Sequence, residues 1–371
     1  MSSNYPERSL QVRLLERHQQ RGATLVVALV VVLLVVMLAT RLGGTYLVLF
    51  RTVENQTAVQ QARVYLRGAE VVAKEALLRD LQADSEVDSM LEFWAQPLAI
   101  PLPEGILSAC LVDLQSRLNL NDLGTGAGEN NGEYSPAQKR FIRLLQALDL
   151  EEPLDSLAAV ALAHAVFDWR DTDYAPRYPG GAEELEYLRQ TPPYRPANQA
   201  FASVTELNLI KGMTPELVVA LTPHLSVWGN GNINLNTLDA ALTASAATGA
   251  EAPQPMLLRT LNNPDSLQPL TPEAAALLAQ ARSAQGGVLR NLDMFANGPL
   301  AAQQWELEGV GFTTEYFLLT ADMQVQARHY QLQSVLRRVL DAVGVPQLTV
   351  LSRHYGSAVF TMDDYCAAAL P

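Results

Sequence analysis

Most of what would mark an enzyme is missing from this chain. Its five histidines, His18, His164, His224, His329 and His354, show no metal-ligand spacing, and no Gly-x-Ser-x-Gly or Cys-His arrangement is placed to make a nucleophile. His164 precedes an acidic stretch and could be argued into a site, but a partly buried, satisfied histidine is the more ordinary reading. Cysteine is scarce. The 371 residues contain only Cys110 and Cys366, so a single intramolecular bridge is possible; the alternative is one buried thiol and one free thiol on the C-terminal tail. Basic residues are also short, 26 against 39 acids, giving a formal charge of −13. Nucleic-acid binding rests on neutralising phosphates, so no nucleic-acid partner is expected for so acidic a surface. At 49% hydrophobic residues, disorder is excluded as well.

One long uncharged run is present, from Ala23 to Thr40, and no small-x-small cleavage motif follows it. A secretory signal has a shorter apolar core ending in such a motif. At ~1.5 Å per residue a helix over this run reaches roughly 27 Å, enough to cross a bilayer once. Arg8, Arg13, Arg17 and Arg21 precede it against Glu7 and Glu16, which keeps that end in the cytoplasm by the positive-inside rule and exports the rest. In an oxidising exterior Cys110 and Cys366 can bridge. Helical spacing continues from Val53 to Leu81, with Val59, Ala62, Val64, Leu66, Ala69, Val72, Ala73, Ala76 and Leu77 among charged residues. A single helix of fifty or more residues is predicted, apolar first and amphipathic later. An uncleaved signal anchor would share the apolar run but not this continuation.

Such a helix, entered through Arg21-Gly22-Ala23, resembles the N-terminus of type IV pilin-like subunits and their prepilin-peptidase signal. The resemblance implies cleavage between Gly22 and Ala23 and N-methylation of Ala23. One departure stands out. Pilins and most pseudopilins carry Glu at the fifth mature position, and this chain has Val27. A carboxylate in a bilayer persists only with a partner, normally the amino terminus of a neighbouring subunit, so Val27 suits a tip position with no subunit above it.

Beyond the anchor, Ile106 to Asn121 alternates as a strand and ends in Asn-Leu-Asn, and Gly231 to Leu238 (GNINLNTL) is similar to Ser116 to Leu123 (SRLNLNDL). Between these Asn-rich ends lie a Gly/Asn loop, Gly124 to Gly132, and helical patterns at Ser135 to Leu148, Leu154 to Phe167, Ala182 to Arg189, Val204 to Ile210 and Pro215 to Leu225. Downstream, Thr237 to Ala247 reads as a helix, Ala250 to Pro269 as a Pro-rich connector and Thr271 to Ser283 as a capped helix. Strands are expected at Thr313 to Gln326, Arg328 to Leu340 and Pro346 to His354. The expected class is α+β, a pilin-like long N-terminal helix packed on an antiparallel sheet with a large inserted all-α domain. The expected divisions are a leader over 1–22, a transmembrane part over 23–50, an amphipathic helix and first part of the sheet domain over 51–123, the helical insertion over 124–230 and the remaining strands over 231–371.

Two motifs could carry a site. Asp168, Asp171 and Asp173 fall within six residues, followed by Pro179-Gly180-Gly181 and then Glu183 and Glu184. Several carboxylates around a glycine turn suit calcium, which takes about 6 to 8 oxygens, although the spacing is not that of an EF-hand. The other reading is surface acids paired with Arg170 and Arg177, which stabilise little. Separately, Thr205 to Leu225 resembles a helix-hairpin-helix, but its turn, Gly212-Met213-Thr214, lacks the second glycine, and Glu216 would repel phosphate. Packing or protein contact suits it better than DNA. Gly309-Val310-Gly311 precedes a strand and is no dinucleotide loop.

Taken together, RGATLVVALVVVLL (Arg21 to Leu34), DLQSRLNLNDL (Asp113 to Leu123), DWRDTDYAPRYPGGAE (Asp168 to Glu183), SVTELNLIKGM (Ser203 to Met213) and NINLNTL (Asn232 to Leu238) resemble the type II secretion system protein K family over nearly the whole chain. The resemblance implies a non-catalytic minor pseudopilin in the inner membrane, processed by prepilin peptidase. It would join pseudopilins I and J, then H and the major pseudopilin, at the tip of a periplasmic pseudopilus that drives proteins through an outer-membrane secretin. It also implies structural calcium in the helical domain, held among Asp168, Asp171, Asp173, Glu183 and Glu184. A membrane-anchored DNA-uptake protein using the helix-hairpin-helix is a second reading, and an anchored hydrolase using Asp168 and its neighbours a third. The shortage of basic residues opposes the one and the missing nucleophile the other.

Overall fold

The computed structural model describes residues 8–124, 134–239, 255–298, 300–325 and 328–356, with side chains from Thr24 onward. The chain divides into two units, Met1–Ala62 and Arg63–Pro371. Helix α1, Arg8–Ala83, begins in the first unit and ends in the second. No proline occurs between Pro6 and Pro97, so nothing in that stretch removes a helical N–H.

Within the first unit the apolar side chains from Leu25 to Phe50 are all exposed. Threonine hydroxyls along the helix of this unit are satisfied locally. Thr40, Thr45, Thr52 and Thr57 each donate their hydroxyl to the carbonyl four residues back, at 2.8 to 3.0 Å, which is how a hydroxyl is accommodated in a helix surrounded by apolar groups.

In the second unit five antiparallel strands form one sheet in chain order: β1 (Leu98–Leu102), β2 (Gly105–Asp113), β3 (Tyr316–Val325), β4 (Arg328–Leu340) and β5 (Pro346–Tyr355). The last three lie close to the strands expected from sequence. Strand β1 is additional to those expected, and its Pro101 is tolerated because β1 is an edge strand. Alternation assigns the faces. Phe317, Leu319, Ala321 and Met323 are buried on one side of β3, with Leu332 and Leu336 on β4. Leu66, Ala69, Ala73 and Leu77 bury one face of α1. Glu70 fastens that face to the sheet, accepting from Ser334 of β4 at 3.0 Å and from Arg353 of β5 at 2.6 and 2.9 Å, with Lys74 at 2.9 Å.

The strand expected from Ile106 to Asn121 stops at Asp113, whose side chain accepts from the Gln115 amide at 2.6 Å and turns the chain into a 3₁₀ segment. Leu118–Asn119 then pairs in parallel with Leu225–Ser226, and Ile233–Asn234 with Val310–Gly311. The two Asn-Leu-Asn segments are structural equivalents. In each, the first Asn accepts from the amide of the second: Asn119 from Asn121 at 3.0 Å and Asn234 from Asn236 at 3.0 Å. In each, the second Asn clasps both backbone groups of a distant residue, Asn121 those of Phe201 (2.7 and 3.0 Å) and Asn236 those of Leu289 (2.7 and 2.9 Å).

The helical body contains α2 (Pro136–Ala147), α3 (Ser156–Arg170), α4 (Glu184–Tyr187), α5 (Pro215–Leu221), α6 (Pro272–Ala284) and α7 (Asp293–Asn297). Local chemistry starts the longer ones: Ser135 and Gln138 form a capping box before α2, and Asp155 caps α3 through the Ala158 amide at 2.8 Å. The helix expected over Ala182 to Arg189 is only the single turn of α4, and Val204–Leu209 is 3₁₀. The expected helix Thr237 to Ala247 lies mostly outside the described residues. One hydrophobic core joins Phe141, Leu145, Val166 and Phe167 to Leu235, Leu258, Leu278 and Phe295, so the helical body runs on past residue 230. Arg143 of α2 holds this later part: fully buried, it donates to the carbonyls of Thr260, Asn263 and Ser266 at 2.6 to 2.9 Å, and burial pushes its guanidinium down to about 10.

A buried polar hub joins the sheet, the end of α1 and the return from the helical body. Asp113 accepts from Asn234 at 3.1 Å and from the hydroxyls of Thr237 and Thr314 at 2.5 Å. Asn234 also donates to the Asp88 carbonyl at 3.0 Å, and the Asp88 carboxylate accepts from the Thr314 amide at 2.7 Å and from Arg338. Arg338 further donates to Leu77 O (3.1 Å) and Asp80 (2.8 Å) at the end of α1. Burial pushes Asp113 up to about 6 despite its hydrogen bonds.

Asp113→Ala is expected to lower stability by about 3 to 5 kcal/mol, because four donors, the Gln115 amide and the side chains of Asn234, Thr237 and Thr314, would lose their buried acceptor. The denaturation midpoint reads this; a loss below ~1 kcal/mol would show the hub to be dispensable. Glu70 predicts a pH effect. Its partners, Arg353 first, hold it at about 2 against an ordinary 4.5. Its contribution is therefore present above pH 4.5 and lost as pH falls toward 2. Glu70→Gln should remove that part of the acid destabilisation, and unchanged acid limbs in melts of the two proteins would contradict it.

Candidate functional site

The acidic loop grows out of the last turn of α3. Asp168, fully buried there, accepts from the backbone amides of Arg177 (3.1 Å) and Ala182 (2.9 Å) and from the Arg177 guanidinium (2.6 Å), so it draws the two ends of the loop together. The glycines are required by space. A Cβ on Gly181 would lie 2.2 Å from an Asp168 oxygen, and one on Gly180, whose φ is +87°, would lie 2.5 Å from Ala161. His164 pins the same turn. Its Nδ1 meets the Pro179 carbonyl at 2.8 Å and must carry the proton, which leaves Nε2 to accept from the Tyr134 hydroxyl at 2.8 Å. Burial lowers the His164 pKa. This histidine is an orienting group.

Asp171, Asp173 and Glu183 each bring a carboxylate oxygen within 4.8 Å of the others. Glu183 is 6% exposed and neither of its oxygens has a hydrogen-bond partner. Burial first, and then the charges of Asp168, Asp171 and Asp173, push it up to about 7. A buried carboxylate without a donor, facing two others, fits a bound cation, and an all-oxygen set fits calcium. Of the five acids expected from sequence, three converge. Asp168 is engaged in holding the loop, and Glu184 turns to Arg195 at 2.9 Å.

A second acidic triple, Asp80, Asp88 and Glu92, was not expected. It comes from the end of α1 and the segment after it, and Arg338 of β4 already bridges Asp80 and Asp88, while Trp94 donates to Glu92 at 2.6 Å. No sequence spacing shows it, because its cation lies some 250 residues from the acids. The helix-hairpin-helix stretch is spent on packing: Leu207, Ile210 and Leu221 are buried, and a Cβ on Gly212 would lie 3.2 Å from Leu162 of α3.

Gly22 and Ala23 both lie within α1. That helix is the one among the described residues long and apolar enough to cross a membrane, and its apolar stretch is unburied. On its later part Val64, Val71 and Val72 are exposed, and Gly68 between them has open space above it. Cys110 is buried on β2; Cys366 lies outside the described residues.

Comparison with known proteins gives a consistent answer. The family model for protein K of the type II secretion system matches residues 116–230. Protein K of Pseudomonas aeruginosa is 34% identical over 237 residues, covering 62% of this chain and 68% of that protein. Protein K of Aeromonas hydrophila is 32% identical over 228 residues, covering 59% and 68%, and that of Klebsiella pneumoniae is 28% identical over 349 residues, covering 91% and 97%. A chain in the crystal structure of the GspK-GspI-GspJ complex from the enterotoxigenic Escherichia coli type 2 secretion system superposes with a TM-score of 0.63 at 25% identity, covering 82% of this chain and 99% of that one. An exposed apolar helix continued by an amphipathic half that packs on an antiparallel sheet is the architecture of a pseudopilin. The chain belongs to the type II secretion system protein K family, the minor pseudopilins that carry a large helical body.

Glu183→Gln should raise the melting temperature in chelator, by removing an unpaired buried charge, and abolish any rise on adding calcium. Equal calcium responses in mutant and wild type would take Glu183 out of the site.

Proposed function

We propose that this chain forms the tip of a periplasmic pseudopilus together with pseudopilins I and J, above pseudopilin H and the major pseudopilin, and that it supports secretion without catalysing a reaction. The likeness over 82% of the chain to a subunit of the GspK-GspI-GspJ complex carries this reading. Val27 supports it, because a subunit without the membrane-buried carboxylate makes no demand for a neighbour above it. The anchor lies in the inner membrane with its N-terminus in the cytoplasm. Prepilin peptidase cuts between Gly22 and Ala23, and Ala23 is methylated. Calcium is held by Asp171, Asp173 and Glu183 as a structural ion, and Cys110 and Cys366 bridge after export.

The contacts to I and J run along the face of α1 that the sheet leaves open, around Val64, Val71 and Val72. An apolar stripe on a helix is the usual element buried against a partner helix.

Intact mass tests the assignment. Protein from cells containing the peptidase should lack residues 1–22 and carry one added methyl group, whereas protein from cells without it, or the Gly22→Ala variant, should keep the leader. Full-length mass in every case would reduce the chain to a signal-anchored protein. Val64→Glu with Val72→Glu should reduce co-purification of pseudopilins I and J at least about tenfold without changing the melting temperature; undiminished recovery would move the interface elsewhere.

A further inference from the structure

The acidic loop contains a cation of its own. Arg177 reaches back across it and donates from one Nη1 to Asp168 at 2.6 Å and, in a closer contact, to Asp171. The guanidinium carbon lies 5.9 Å from the centre of the Phe167 ring, and the side chain is only 23% exposed. The backbone of the same residue is fixed too: its amide donates to Asp168 at 3.1 Å and its carbonyl accepts from Gly181 at 2.9 Å. Arg177 is thus held at both ends. Glu183, in the same cluster, has a donor on neither oxygen.

The loop therefore treats its acids unequally. Asp168 and Asp171 are answered by the guanidinium, whereas Glu183 is buried and unanswered. Asp171 belongs to both groups, since it contacts Arg177 and also contributes an oxygen to the triple with Asp173 and Glu183. A divalent ion placed among the three would share Asp171 with the guanidinium. Two positive centres bound to one carboxylate repel each other, and in a partly buried site that repulsion is only partly screened.

We infer that Arg177 is a resident counter-ion that sets the strength of this cation site. It preorganises Asp168 and Asp171 before any metal arrives, and its charge weakens the hold on the metal that then binds. This rests on the cation-site reading above. The consequence is a loop that keeps its shape without calcium and binds weakly, on the order of the 10⁻⁴ to 10⁻³ M dissociation constants of extracellular modules. Such a site fills only where calcium is abundant, outside the cytoplasm.

The test uses the full chain in detergent, with calcium titrated by calorimetry and melting temperature followed in chelator and in saturating calcium. Arg177→Gln should melt below wild type in chelator, recover most of the difference in calcium, and bind calcium at least about fivefold more tightly. Arg177→Lys keeps the charge and should bind within about twofold of wild type. Equal or weaker binding by Arg177→Gln, with melting lowered alike in both conditions, would make Arg177 a structural residue only and overturn the inference. Tighter binding by Arg177→Lys would overturn it as well, and does so even where Arg177→Gln fails to fold. Absence of any calcium response in wild type would instead remove the cation site itself.

Discussion

Asp113 is a buried carboxylate that accepts from the nearby Gln115 amide and from three donors brought from elsewhere in the chain. The long α1 helix, the sheet and the helical body all meet at it and its neighbours. Asn234 and Thr237 arrive from the return of the helical body, Thr314 from just before β3, and Arg338 joins the group through Asp88. Burying so many polar groups is tolerable because nearly all of them find partners here, and the need to satisfy them together favours this docking of the helical body on the sheet. A two-hundred-residue excursion between β2 and β3 can therefore leave the sheet as regular as if the strands were consecutive.

The same logic recurs in the helical body at lower polarity. Paired amide clasps by Asn121 and Asn236 seize single distant residues, and Arg143 collects three loop carbonyls. These contacts replace secondary structure. Much of the described chain from 255 to 271 is irregular, yet Leu258 and Leu261 lie in the common core, and side chains there supply hydrogen bonds that helices would otherwise have made.

For a subunit whose work is assembly, rigidity in the right places is the function. Glu70 and the hub fix the later, amphipathic part of α1 on the sheet, so its open face is presented in one orientation. The acidic loop is fixed differently, with Asp168, Arg177 and His164 holding its frame while Glu183 stays unanswered. A frame that is complete apart from one charge is suited to a bound cation.

Periodicity and junction chemistry made several features readable from the residues: the apolar run and its arginine flank, the amphipathic continuation, strands β3 to β5, and the capped helices α2, α3 and α6. These depend on neighbours within a few positions. The similarity of SRLNLNDL to GNINLNTL was equally visible, and its meaning was not, because what each second asparagine clasps lies tens of residues away. The acids from Asp168 to Glu184 marked a loop of interest but did not say which would converge. That choice was made by the direction of the last turn of α3, which turns Asp168 inward to the loop backbone, and by Arg195, which draws Glu184 off. The Asp80, Asp88 and Arg338 group gave no signal at all, since a helix end and a strand far along the chain share no local pattern. By itself the sequence determined the long apolar helix, most of the longer elements and the family, all set by short-range spacing and hydropathy. The tertiary structure alone decided which charges are answered, because in a buried site that depends on which distant donors the fold brings within hydrogen-bonding reach.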